Sequence, residues 1–273
     1  MKNKIFKMLV LALFIMGSLN LTSCSKGNDL SSNPESSDLL AQIQERGSII
    51  IAMEGTWAPW TYHDENDQLV GYDVEVAQLI ADKLSVEAEF VEGEWDGLLA
   101  GLDAGRYDIM VNGVEITDDR AEKYDFSKPY AYNRTAVITL INNNEIQAMS
   151  DLEGKQTANT ISSTYADLAE AYGAEVTGVD DLNQTFELLL SGRIDATLNA
   201  EVTYYDYMKA HPDAQIKIAV LTKEASKTAI PMRKGDASAS LLQAVNTALT
   251  DLEENGELTR LSEKYFGTDI SKE

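Results

Sequence analysis

Residues 95–120 read WDGLLAGLDAGRYDIMVNGVEITDDR, and the reading of this stretch decides the fold. Leu98, Leu99 and Leu102 fall on one helical face, and Gly105 sits where a helix end calls for a left-handed residue. Tyr107 to Val111 reads as a short buried strand. Asn112, Gly113, Val114 and Glu115 follow as a loop in which backbone N–H groups can approach a ligand. Ile116 to Asp119 then resembles the start of a short helix with Arg120 in its first turn. An acceptor, several donors and a fixed cation held this close together suit a zwitterion. The plan recurs in residues 186–203, FELLLSGRIDATLNAEVT, where Gly192-Arg193-x-Asp195 repeats Gly105-Arg106-x-Asp108 and Asn199 follows its glycine as Asn112 follows Gly105. One duplicated G-R-x-D also arises by chance; as a true repeat it implies two lobes of like construction. Ligands in open α/β sheets bind beyond the carboxyl ends of strands, so two such loops facing each other make a cleft with a half-site on each lobe.

At the N-terminus, Lys2, Lys4 and Lys7 precede an apolar run from Met8 to Met16 that is too short to span a bilayer, the pattern of a secretory signal. Cys24, the one cysteine, follows Leu21-Thr22-Ser23 as the cysteine of a bacterial lipobox does. Residues 1–23 are therefore expected to be a lipoprotein signal peptide and Cys24 a lipidated anchor; the alternative is a signal cut elsewhere with Cys24 incidental. A lipidated Cys24 leaves no thiol for disulfides, metal or nucleophilic catalysis. Residues 24–40 are rich in Ser, Asn and acid and are expected to be a flexible tether. The formal charge of −23 becomes −26 once the signal's lysines are removed. Such a surface repels nucleic acid and anionic lipid, leaving membrane contact to the lipid anchor, and most of its carboxylates read as solvated faces.

Ser48 to Met53 is an apolar run suited to a buried strand, and the loop from Glu54 to Trp60 places two indoles at its end. Trp57 is expected to line a cavity and Trp60 to pack on the core. A helix from Tyr72 to Leu84 and a strand from Val86 to Val91 complete a β-α-β-α-β order, an α/β domain with right-handed crossovers. Thr135 to Ile141 reads as a strand leading out of this lobe and Thr228 to Arg233 as one returning, together a hinge. Lobe 1 is thus expected over 41–138 and 232–273, and lobe 2 over 139–231. In lobe 2, Ser162-Ser163-Thr164 opens a helix; three hydroxyl residues there serve as caps, as a carboxylate site, or as both. His63 and His211 read as a loop residue and a helix-end residue, so no catalytic residue, metal set or cofactor is expected.

The chain resembles the solute-binding proteins of polar amino-acid ABC transporters, the family 3 extracellular solute receptors with a two-lobed type II periplasmic-binding fold. The resemblance is carried by Trp57-Ala58-Pro59-Trp60, Gly71-Tyr72-Asp73-Val74-Glu75-Val76-Ala77, Trp95-Asp96-Gly97-Leu98-Leu99, Gly113-x-x-Ile116-Thr117-x-x-Arg120, Asp125-Phe126-Ser127-x-Pro129-Tyr130, Asp151-Leu152-x-Gly154-Lys155 and Gly192-Arg193-x-Asp195, all in family order. GYDVEVA and WDGLLAGLDAGRYD are similar to the cystine-binding branch. The resemblance implies that Arg120 grips a ligand carboxylate, helped by backbone N–H groups at Glu115 and by Ser163 and Thr164. It also implies that Trp57 and Trp95 pack against the ligand and that Glu54 is a pocket acid. Asn112, Gly113 and Asn199 join them from the repeated loops, and Tyr205 is a further candidate for the aromatic wall. Many members carry an acid for the ligand's ammonium where this chain has Ala200. Glu115 is expected to replace it, with Glu201 as the competing candidate. The implied protein is a lipid-anchored, extracytoplasmic monomer that binds a free amino acid, cystine or another polar one, and delivers it to an ABC permease. An amino-acid-sensing receptor subunit and a dehydratase-like enzyme on the same scaffold are the alternatives.

Overall fold

A computed structural model describes residues 38–273, so the expected signal peptide, Cys24 and most of the tether lie outside the described residues. The tether's expected last residues, Leu39 and Leu40, belong instead to the first helix, Leu39–Arg46. Asp38 caps it, accepting from the Leu40 and Ala41 amides at 2.9 and 3.3 Å, and Leu39 and Ile43 are buried in the core. Two apolar side chains one turn apart fix this start.

Two sheets of the same plan follow. In the first, Ser48–Met53 lies between Glu87–Glu92 and Ile109–Met110, all parallel. In the second, Gln156–Asn159 lies between Glu175–Gly178 and Ala196–Ala200, again parallel. The repeated G-R-x-D is structural. Gly105 and Gly192 have φ of +69° and +68°, each ending its helix in the left-handed region. The carboxylates of Asp108 and Asp195 then each accept a main-chain N–H at 2.8 Å from the central strand, that of Ile50 in one half and Gln156 in the other. The aspartate main chains return the bond, their N–H groups donating to Ile50 and Gln156 carbonyls at 2.9 and 2.8 Å. Each motif therefore staples the third strand of its parallel trio to the middle one.

The connection between the halves differs from the sequence expectation. Thr135–Leu140 does not lead out of the first lobe. It is an interior strand of the second sheet, antiparallel to both Ala196–Ala200 and Ile216–Leu221, and hydrogen bonding on both edges buries Ala136, Val137 and Ile138 completely. The crossings lie just before it, where Ala131–Asn133 pairs with Ser226–Thr228, and where Tyr124–Phe126 pairs with Pro231–Arg233. The C-terminal helices Ala239–Glu254 and Glu257–Phe266 return to pack on the Tyr72–Leu84 helix of the first half. Lys83 pairs with Asp251 at 3.1 Å, and Lys264 with Glu75, across that junction.

Candidate functional site

The first half supplies a wall built on the carboxyl end of Ser48–Met53. Glu54 follows that strand and is held by a reciprocal pair: its N–H donates to Asn112 Oδ1 at 2.7 Å, and Asn112 Nδ2 donates to its Oε2 at 2.6 Å. Burial pushes the Glu54 carboxyl up to about 7; the Asn112 hydrogen bond opposes this and the charges of Asp96 and Asp181 add to it. Gly113 comes next, with φ +57°, and a Cβ there would lie 2.5 Å from Cζ3 of Trp57, so only glycine lets the indole lie flat on the loop. Its N–H donates to Asp73 Oδ2 at 2.5 Å, and Asp73 Oδ1 accepts from Tyr130 Oη at 2.7 Å. Asp73 is 0 % exposed, and burial raises its carboxyl to about 7. Trp57 stacks on Trp60, ring centres 5.4 Å apart, and Trp60 is sealed into the core against Tyr72 and Phe266.

Arg120 stands in the first turn of the helix Asp118–Lys123, whose cap Thr117 accepts the Arg120 amide at 3.2 Å. The guanidinium lies 5.2 Å from the centre of the Trp95 ring. Nη1 donates to the Glu115 carbonyl and Nη2 to the Ser162 carbonyl of the second half, both at 3.1 Å. Desolvation lowers its pKa, opposed by Glu115 and Asp167. A half-wrapped guanidinium of this kind keeps N–H groups for an anion in the cleft.

The facing wall comes from the second half and carries no formal charge. Ser163 and Thr164 open the helix Thr164–Ala171, with Ser163 Oγ accepting the Ala166 amide at 3.2 Å. Asn159, Thr160, Tyr165, Leu182, Thr185 and Asn199 complete the wall. Together with Glu54, Thr56, Trp57, Trp95, Gly113 and Arg120 they enclose a cleft with an empty volume of about 590 Å3 counted out to its mouth. The two walls already touch. Trp57 Nε1 donates to Asn199 Oδ1 at 3.3 Å, and Ser162 Oγ donates to Asp96 Oδ1 at 2.8 Å.

Of the residues expected from sequence, Glu54, Trp57, Trp95, Gly113, Arg120, Ser163, Thr164 and Asn199 line this cleft. Asn112 does not. It is 0 % exposed behind Glu54 and orients that carboxylate. Glu115, expected to stand in for the acid absent at Ala200, does not line the cleft either: its carboxylate accepts from Ser226 Oγ at 2.5 Å, on the side of the crossing strands. A bridge to Thr228 turns it that way. The bonds flanking that bridge run from Ile116 N–H to Lys227 and from Ala229 N–H to Val114, so the bridge itself makes no use of the Glu115 N–H. Glu201 is taken by Arg134 at 2.9 Å, and Tyr205 is 51 % exposed with its hydroxyl on Glu201, so neither reaches the cleft. The second half's aromatic in the cleft is instead Tyr165, edge-on to Trp57 at 6.5 Å. Sequence reading missed Asn159, though the rule that strand ends face ligands applies to Gln156–Asn159 as it does to Ser48–Met53. Thr56, Thr160, Leu182 and Thr185 carry no comparable signal.

The family of bacterial extracellular solute-binding proteins, family 3, matches residues 49–268. The chain is 40% identical over 270 residues to the L-cystine-binding protein TcyA of Bacillus subtilis, covering 97% of this chain and 100% of that protein. Among solved structures it is similar to the L-cystine solute receptor of Neisseria gonorrhoeae in its unliganded open conformation, with 37% identity, TM-score 0.59, and 86% and 100% of the two chains covered. It is also similar to an ancestral arginine-binding protein bound to arginine, with 33% identity, TM-score 0.76, and coverage of 81% and 99%. The better superposition on the liganded structure, at lower identity, agrees with the contacts that already span the cleft.

Proposed function

This chain belongs to the family 3 bacterial extracellular solute-binding proteins, and from that membership we propose that it captures a free amino acid between its halves and delivers it to an ABC permease. The observation that carries the reading is Arg120, a cleft-wall guanidinium lying over the Trp95 ring and bonded across the cleft to the Ser162 carbonyl, just before the helix Thr164–Ala171. A carboxylate placed between them meets the guanidinium, the Glu115 N–H and the free N–H groups of a helix N-terminus. Glu54 supplies the opposite charge for the ligand's cationic end, and the Trp57 and Trp95 rings bound the apolar part. The likeness to the two cystine-binding relatives favours cystine or another polar amino acid. The N-terminal sequence favours a lipid-anchored, extracytoplasmic protein with its anchor at Cys24.

Function is closure. The open cleft admits the amino acid, which then bridges both walls and shifts the equilibrium toward the closed form that the permease reads. A thermal-shift screen of the twenty amino acids plus L-cystine tests the proposal. At least one should raise the melting temperature by several degrees at millimolar concentration, and no rise with any of them overturns the reading.

A further inference from the structure

We infer that the side-chain oxygen of Asn159 accepts an N–H from the ligand's cationic end, a contact supplied by the second half. The inference rests on the reading of the cleft as an amino-acid site and names the group that completes it. Asn159 ends the strand Gln156–Asn159, is 3 % exposed and lines the cleft. Its Nδ2 donates to the Leu198 carbonyl at 2.7 Å. That bond fixes which way the amide faces, because the flipped form would set oxygen against oxygen. The oxygen so fixed is buried and has no hydrogen-bond partner.

Among the described residues, the other buried unpartnered side-chain atoms are the hydroxyls of Thr157 and Thr203 and the indole nitrogens of Trp60 and Trp95. Neither threonine nor Trp60 lines the cleft, and Trp95, which does, offers only a donor. Among the described residues, Asn159 Oδ1 is therefore the one buried side-chain acceptor without a hydrogen-bond partner that belongs to a cleft-lining residue. A buried acceptor left unmade costs roughly as much as a hydrogen bond is worth, so a ligand N–H that reaches it gains the difference. The consequence is a division of labour. Glu54 provides the formal charge from the first half, while Asn159 provides a neutral, directional acceptor from the second.

The test is calorimetric titration of the wild type, Asn159→Leu and Asn159→Asp with L-cystine and with 3,3′-dithiodipropanoate, the same disulfide without its ammonium groups. The wild type should prefer L-cystine. In Asn159→Leu the preference should shrink by roughly ten- to a hundredfold, because L-cystine binding weakens and dithiodipropanoate binding does not. Asn159→Asp, which keeps an oxygen there, should retain the preference. An equal loss for both ligands in Asn159→Leu means that the residue only ties strands together through Leu198, and overturns the inference. So does an unchanged L-cystine affinity. If Asn159→Leu fails to fold, Asn159→Asp decides alone, since a lost preference there also overturns it. A wild type that binds no amino acid instead overturns the reading of the site, and this inference with it. Should the ligand screen return another amino acid, that compound and its deaminated acid take the place of the disulfide pair.

Discussion

The two halves share a skeleton and divide the chemistry. Each has a three-strand parallel core in the same order, a glycine-ended helix and a stapling aspartate, yet among the cleft-lining residues both charged ones, Glu54 and Arg120, come from the first half. The second half contributes amides, hydroxyls, a phenol and a leucine. Desolvating a charge is costly unless its partner is in place, and dipoles cost far less to bury. Charges confined to one wall can be held in fixed positions by neighbours such as Asn112 and Trp95, and the other wall can close over the ligand without stripping water from ions of its own. A ligand is accordingly expected to dock on the first half and be enclosed by the second.

The largest effect should come from removing the cation. Arg120→Ala takes away the carboxylate partner and also the bond to the Ser162 carbonyl across the cleft. Truncating one member of a buried charged pair costs about 2–5 kcal/mol, so binding of L-cystine at micromolar concentration should disappear in calorimetry. Thr185→Val in the second half removes one hydroxyl, at about 0.5–1.5 kcal/mol. If Thr185→Val proves as damaging as Arg120→Ala, the division between charged and neutral walls is wrong.

Gly113→Ala should follow in size. The new methyl would meet the Trp57 ring 2.5 Å away, at φ +57°. Overpacking costs typically about 1–3 kcal/mol, and the left-handed conformation adds roughly 1–2 kcal/mol. Melting temperature and affinity should both fall. The matched change Ala200→Gly, at the corresponding end of the second half, should cost stability without displacing any indole. Equal losses of affinity would mean that Trp57 is not the wall we describe.

The repeated motif also shows where sequence reading stops. Gly105 and Gly192 were legible because a helix end is a local demand, met by residues close in the chain, whereas the staples of Asp108 and Asp195 reach partners 58 and 39 positions away and showed in the sequence only as a repeat. The extents of Ser48–Met53 and Tyr72–Leu84 were legible for the same reason, the first as an apolar run and the second through apolar periodicity. The asparagines that follow the glycines look equivalent in sequence and are not. Asn112 lies behind Glu54, while Asn199 stands at the wall and takes the Trp57 indole. That difference depends on what packs across from each, which no local pattern records. The displacement of Glu115 toward Ser226 is of the same kind, since its partner is 111 positions away. So is the crossing: Thr135 to Ile141 reads as an exit strand because pairing on both edges cannot be seen in one segment.

A smaller effect concerns protons. Glu54 and Asp73 both have carboxyls raised to about 7 from ordinary values of 4.5 and 3.8. The folded state therefore holds protons that the unfolded state has released between about pH 4 and pH 7. Stability from these groups is full below that window and declines as pH rises through it, becoming flat above. Denaturant titrations at pH 5 and pH 8 should show the decline, and Asp73→Asn should reduce it. Only Glu54 faces the cleft, so a cationic ligand should lower its pKa and expel a proton on binding at pH 6. Titrations in buffers of different ionisation heat should detect that proton in the wild type and in Asp73→Asn, and not in Glu54→Gln. Release that survives in Glu54→Gln would place the titrating acid elsewhere.

The smallest expected effect lies where the walls meet. The bond from Trp57 Nε1 to Asn199 Oδ1 is 3.3 Å long, and the same oxygen also accepts the Ala200 amide at 2.8 Å. A shared acceptor at that distance contributes at the low end of the usual range, so Asn199→Leu should weaken ligand binding by only about two- to threefold. Its informative readout is optical. If Trp57 belongs to the first half and only touches the second on closure, its emission in the ligand-free variant should match that of an open wild type, and the change on adding ligand should persist through stacking on Trp60. If the ligand-induced change vanishes in Asn199→Leu while affinity holds, the indole is positioned by the neutral wall after all. The assignment of the aromatic face to the charged half would then have to be withdrawn.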